Sequence, residues 1–113
     1  MKYFLIHCVD RSSKLGPDEE ARDEELLSAW LDETIRGGTN LHGSRLEPDV
    51  AAKSVRVRNG EVLITDGPFA ETKEQIGGYD VLECADLEQA LDLASRHPTA
   101  LVGTIEVRPF LDL

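Results

Sequence analysis

A chain of 113 residues can bury one modest hydrophobic core and not two, so residues 1–113 are read as a single domain. Its 41% hydrophobic and 30% charged content is that of a folded protein, which argues against disorder. The 22 acidic side chains outnumber the 12 basic ones and give a formal net charge of -10, which repels phosphate backbones and anionic lipid and disfavours nucleic acid and membrane surfaces as partners.

No apolar run approaches the ~20 residues that span a bilayer, and the run after Lys2 is shorter than a signal-peptide core and closes at Asp10. The expected address is therefore the cytoplasm. Cys8 and Cys84 lie in strand-like surroundings and read as small core residues, not as a disulfide framework.

In chain order, Lys2 to Val9 alternates with apolar residues on both faces, which predicts a central strand covered on each side. Asp10 to Gly16 is a polar loop. Pro17-Asp18-Glu19-Glu20 opens a helix, its acidic first turn complementing the exposed amides. Leu27, Trp30, Leu31, Thr34 and Ile35 form the stripe expected to be buried, Asp18–Arg22 and Asp32–Arg36 are i,i+4 pairs on the wet side, and Gly37-Gly38 supplies a left-handed stop. Thr39 to Leu46 is a second strand, weakened by Gly43 and ended by Pro48.

Val55-Arg56-Val57-Arg58 and Glu61-Val62-Leu63-Ile64 flank Asn59-Gly60, a strong hairpin signal because both turn residues tolerate positive φ. A two-residue loop pairs Arg58 with Glu61 and Val57 with Val62, and gathers Val55, Val57, Val62 and Ile64 on one face. Gly78 to Cys84 is a further strand. Asp86 and Gln89 make a capping box for a helix whose stripe is read as Leu87, Ala90, Leu91 and Ala94, ending at Arg96-His97-Pro98. Gly103 to Phe110 closes the chain as a strand, and its Pro109 argues for a sheet edge.

With the hairpin set aside the order is βαββαβ, an α+β ferredoxin-like plan in which two helices cover one face of a four-stranded antiparallel sheet. The open face needs a cover, and a twofold homodimer is the expected one. Cys8 and Cys84 then fall at opposite ends of the sheet, beyond the reach of a disulfide.

Asp66-Gly67-Pro68-Phe69, running on through Ala70-Glu71-Thr72-Lys73-Glu74-Gln75 to Gly77-Gly78-Tyr79, resembles the signature of the DGPF branch of the YCII-related family. The opening Met1-Lys2-Tyr3, the Val55 to Arg58 strand and Ile105-Glu106-Val107-Arg108-Pro109 resemble the same branch, so the likeness covers nearly the whole chain. The resemblance implies a ferredoxin-like protomer in a dimeric α/β barrel, with a cleft beneath the sheet near the dimer interface. Enzyme-like relatives outside the branch pair a histidine of the first helix with an aspartate. Here that helix has no histidine, so the activity does not carry over. Relatives associated with extracytoplasmic-function sigma factors imply a regulatory alternative.

Asp66 is a candidate acid or base, with capping of its own Gly-Pro turn as the alternative. His42 is a candidate proton carrier near neutral pH, as is His7, although a lone strand histidine is more often a hydrogen-bonded core or rim residue. Arg108 and Glu106 alternate with Ile105 and Val107 onto the face a dimer covers, where they either pair with each other or hold a polar ligand. Lys73, Glu74, Gly77, Gly78 and Tyr79, within the signature stretch, complete the ligand-binding candidates, against a solvated turn for Lys73 and Glu74. The histidines and cysteines have no metal-ligand spacing, and no cofactor is implied. The reading is a small polar molecule bound in the dimer cleft, with proton transfer by Asp66 or His42. The alternative is a noncatalytic module partnered with a sigma factor.

Overall fold

A computed structural model describes residues 1–10, 15–70 and 72–112. The polar loop read over 10–16 falls mostly outside the described residues, as does residue 71 of the signature stretch. Strands β1 (Lys2–Val9), β2 (Asn40–Arg45), β5 (Gln75–Glu83) and β6 (Thr104–Pro109) form one antiparallel sheet in the order β2-β5-β1-β6, and β3 (Lys53–Arg58) and β4 (Glu61–Asp66) form a separate ribbon. Helices α1 (Pro17–Arg36), α2 (Leu87–Arg96) and the single turn α3 (Thr99–Val102) complete it. This is the ferredoxin-like strand order, with β1 central and the Pro109-bearing β6 on an edge.

Alternation on β1 sorts the layers. Tyr3, Leu5 and His7 are buried toward the helices, while Phe4, Ile6 and Cys8 are half-buried on the open face. The core gathers at one end of the helix side, where Tyr3, Leu5, Leu82 and Cys84 meet Trp30, Ala90, Leu93 and Ala94. Trp30 is a core residue whose indole Nε1 donates to the Leu93 carbonyl at 2.8 Å, locking α1 to α2 without leaving a buried donor unpaired. The thiols of Cys8 and Cys84 are free, and register puts Cys8 beside Thr104 while Lys2 faces Glu83, so the two lie at opposite sheet ends.

The helices differ from expectation in which face they bury. Ile35 is 60% exposed, beside the fully buried Thr34 and one turn beyond the core residue Trp30. In α2 the buried row is Ala90, Leu93 and Ala94, with Leu87 and Leu91 about half exposed. The row continues into His97, so the helix is turned to bring that ring inward. Asp86 caps α2 by accepting from the Gln89 backbone N–H at 2.8 Å, and the Gln89 side-chain oxygen accepts from the Ala85 backbone N–H at 2.7 Å. The left-handed residue ending α1 is Gly38 (φ 72°), one position past Gly37, which stays helical. Asp32 pairs with Arg36 at 2.9 Å, whereas Asp18 and Arg22 form no ion pair among the described residues.

The hairpin has the expected register, Arg58 opposite Glu61 and Val57 opposite Val62, around a turn with positive φ at Asn59 and Gly60. Val55, Val57, Val62 and Ile64 share one face, and each is 57–65% exposed.

Candidate functional site

The half of the helix side that lacks core residues carries polar groups instead. On β1 and β5, Leu5 faces Asp80 and His7 faces Gly78, so His7 and Asp80 are diagonal neighbours on one face. Both are 6% exposed, and His7 Nε2 lies 2.7 Å from Asp80 Oδ2. The amide of Asn40 donates to the other oxygen, Asp80 Oδ1, at 3.0 Å. A buried carboxylate needs this many partners, since its desolvation is otherwise prohibitive.

Strand β2 is shaped for that carboxylate. Its register shifts between Asn40 and His42, a bulge that puts Asn40 and Gly43 on the same face. Gly43 sits opposite Asp80, and a Cβ there would come within 2.0 Å of Oδ1. The glycine that weakens the strand as a strand is the space in which the acid sits.

The third member comes from the end of α2. His97 is 5% exposed, its ring 4.3 Å from that of His7 and edge-on to Trp30 at 4.7 Å between centroids. Its Nδ1 accepts the Thr99 backbone N–H at 3.0 Å. Burial, reinforced by His7, depresses its pKa to about 4; Asp80 pulls the other way and Arg45 adds to the depression. His97 is thus an uncharged imidazole at neutral pH.

Above these groups lies a cavity of about 430 Å³, within the range of small-molecule sites. Leu27, Leu31 and Ile35 of α1 form its apolar wall, and His7, Asp80 and His97 are on its polar side. This is why the outer part of the α1 stripe remains accessible: it lines a hollow. The remaining nitrogen of His7, Nδ1, is buried and has no hydrogen-bond partner among the described residues. Asp80 fixes the ring through Nε2, the role an orienting carboxylate plays beside a catalytic histidine.

His7, Asp80 and His97 each bring one ligand-type atom within 4.8 Å of the others, a two-histidine, one-carboxylate set of the kind that holds metal ions. The hydrogen bonding does not suit one. A ligating histidine donates from its other nitrogen, whereas Nδ1 of His97 receives an N–H and the proton of the neutral ring must sit on Nε2, leaving no free lone pair.

The residues singled out in the sequence fall in several places. Gly77, Gly78 and Tyr79 are in the cavity wall. The Tyr79 hydroxyl lies 2.6 Å from the His42 ring on the open face of the sheet. Glu106 accepts from Arg108 at 3.1 Å on that same face. Glu74 accepts from the Thr104 hydroxyl at 3.1 Å, and Lys73 stands 4.0 Å from Asp10. Asp66 ends β4, exposed and ion-paired with Lys53 across the ribbon.

Residues 1–113 match the model of the YCII-related domain. The chain belongs to the YCII-related family. This YCII-related protein is 38% identical over 115 residues to an uncharacterised protein of Rhizobium meliloti (strain 1021), an alignment spanning 96% of this chain and 91% of the relative. Among solved structures it is similar to the 5-chloro-2-hydroxyhydroquinone dehydrochlorinase of Burkholderia phenoliruptrix AC1100 in complex with 2,5-dihydroxybenzoquinone. The TM-score is 0.54 at 10% identity, over 98% of this chain and 94% of that one. At that identity the likeness is one of fold.

Asp80 and His97 escaped the sequence reading. A signal for Asp80 was present: in the alternation Gly78, Asp80, Leu82, Cys84 it is the one charged residue on an otherwise apolar face. His97 continues the Ala90, Leu93, Ala94 row, visible only once Leu93 is placed in the stripe.

Proposed function

We propose that this YCII-related chain binds a small organic molecule in the cavity between α1 and the sheet and moves a proton on it, with His7 as the base. One observation carries the reading: a buried His7–Asp80 pair at 2.7 Å, held from the other side by Asn40, on the wall of a 430 Å³ hollow. Burying an aspartate and two histidines costs stability that an apolar trio would not, and a proton-transfer site is a reason to retain them. In the step, the His7 ring takes a proton from an acidic C–H or O–H of the ligand. The electron pair stays on the ligand as an enolate or phenolate, and the imidazolium, held by Asp80, returns the proton to another atom. The net change is a tautomerisation, needing no co-reactant. The structural neighbour, named as a dehydrochlorinase and bound to a dihydroxybenzoquinone, supports a small cyclic molecule as a suitable size of ligand for this fold.

A thermal-shift screen of enolisable carbonyl and phenolic compounds tests it. A ligand at 100 times its Kd stabilises the protein by ~2.7 kcal/mol, and that stabilisation is expected to vanish in His7→Phe and to fall at least ~10-fold in affinity in Asp80→Asn. A panel without a single stabilising compound, or binders indifferent to His7→Phe, would remove the proposal.

We further propose that the active form is a homodimer closed over the open face of the sheet. Phe4, Ile6, Val81 and Phe110 are apolar there, and no helix among the described residues covers them. The radius of gyration is 16.1 Å, against about 13 Å for a compact chain of this length, because the hairpin extends from the body with its valines uncovered. A second copy is the occupant that answers both. The His42–Tyr79 and Glu106–Arg108 pairs belong to this face, so a cleft beside the dimer interface would be theirs. Sedimentation at micromolar concentration should give two subunits for the wild type and one for Val57→Lys with Val62→Lys. A wild type that sediments as one folded subunit refutes the dimer.

A further inference from the structure

We infer that Arg45 anchors a single carboxylate, so that the cavity takes a small organic monocarboxylate whose apolar body lies between α1 and the sheet. This rests on the cavity being a ligand site and adds the charge of what the site takes.

The strands set the position. Past its bulge, β2 alternates so that Gly43 and Arg45 share the cavity face, Gly43 opposite Asp80 and Arg45 opposite Gly78. On the other side of β5, Gly78 is also opposite His7. Residues directly opposite one another project to the same face of a sheet, so Arg45, Gly78 and His7 stand in one row across three strands. Two strand spacings put the outer pair about 10 Å apart at the backbone. The middle member has no side chain, and a Cβ on Gly78 would come 3.4 Å from Arg45 Cα and 3.7 Å from His7 Cδ2. The floor between Arg45 and His7 is thus bare backbone, over which a small flat molecule held at Arg45 reaches toward the imidazole.

Arg45 is also uncommitted. In a chain with 22 acidic side chains, Arg36, Arg96 and Arg108 each hold a carboxylate at 2.8–3.1 Å. The Arg45 guanidinium has no ion pair or hydrogen bond among the described residues, although it is exposed and lines the cavity. Asp80 does not take it, being held by His7 and Asn40. Its charge is felt at His97, another lining residue, whose protonation it opposes. A planar guanidinium meets a carboxylate through two parallel N–H bonds, a fork that an ammonium cannot reproduce.

The rest of the lining limits the charge to one. Glu20, Asp23 and Glu24 of α1 line the cavity, and Arg45 is the only arginine or lysine among the described residues that does. One carboxylate has a partner there, and a second meets repulsion. Leu27, Leu31 and Ile35 offer the remainder of the ligand an apolar wall.

The test uses benzoate, phenylacetate and 3-phenylpropionate, each titrated calorimetrically into the 113-residue protein at pH 7 beside its neutral amide. At least one acid should bind ~10-fold or more tightly than its amide. That preference should disappear in Arg45→Gln, survive in part in Arg45→Lys, and be unchanged in Arg56→Gln, which removes the same charge from the ribbon. Both positions are exposed, so the variants fold. Acids and amides of equal affinity, or a preference that Arg45→Gln leaves intact, overturn the anchor. An equal loss in Arg56→Gln reduces the effect to overall charge and overturns it as well. Tighter binding of terephthalate than of benzoate overturns the limit of one carboxylate. If none of the acids binds, the ligand class is wrong. Neutral compounds of the wider screen that still depend on His7 then leave the pocket standing, and their absence removes the pocket too.

Discussion

Gly43→Ala should be among the most damaging single-atom additions this chain can receive, lowering stability by about 3 kcal/mol in urea unfolding. A Cβ at that position would meet Asp80 Oδ1 at 2.0 Å, Asp80 Cγ at 2.9 Å and the Tyr79 carbonyl oxygen at 3.0 Å. His7 holds one oxygen and Asn40 the other, and moving the carboxylate breaks two charge-assisted bonds at a group that is only 6% exposed. An alanine on an open strand position would be neutral or slightly favourable, since glycine weakens strands. The sign of the effect therefore reports on the buried acid. Combining Gly43→Ala with Asp80→Ala should recover part of the loss, with a coupling of more than ~1 kcal/mol in the double-mutant cycle. Additive effects, or a Gly43→Ala protein within ~0.5 kcal/mol of wild type, would mean that Asp80 is not held as described.

The contrast between Gly43 and the DGPF stretch explains what could be read without coordinates. Alternation along β1, the Asn59-Gly60 turn with its register, the Pro17 start of α1 and the Asp86 cap are local, and each is decided by residues within one element or one turn. They carry the architecture. The site is different in kind, because Nε2 of His7 meets a carboxylate 73 positions away, and the third ring arrives from the end of α2. No spacing along the chain encodes that meeting. It becomes legible only when the antiparallel pairing of β1 with β5 sets His7 diagonal to Asp80. Residues rich in local signal drew the attention instead. Asp66-Gly67-Pro68 is conspicuous because glycine and proline constrain backbone, and what Asp66 does is pair with Lys53 at the base of the ribbon. Gly43 was read as a weak point in a strand for the same reason: its local cost is visible in the sequence, and its use as a seat for Asp80 is not.

Acid should destabilise the protein through His97, and Phe at that position should remove the effect. The folded pKa is about 4, below the ~6.5 of an unfolded histidine. Between those values the unfolded chain binds a proton that the native ring refuses, so native stability falls as pH drops below about 6.5 and stops falling, for this group, below about 4. The full drop is about 3 kcal/mol, from a shift of roughly 2.5 units at 1.36 kcal/mol each. The groups facing the ring are His7, which depresses its pKa further, Asp80, which opposes that, and Arg45, which adds to it. Carboxylates elsewhere also titrate in this window, so the measurement is a difference: unfolding free energy of wild type minus that of His97→Phe, at pH 7 and at pH 4. Phenylalanine keeps an aromatic edge for Trp30 and a face for His7 while removing the titration. The difference should shrink by about 3 kcal/mol on acidification, with the wild type losing ground. Parallel acid limbs for the two proteins would mean that the ring is already hydrated or charged in the native state, and then it could not be the uncharged imidazole that the Thr99 amide and the surrounding burial require.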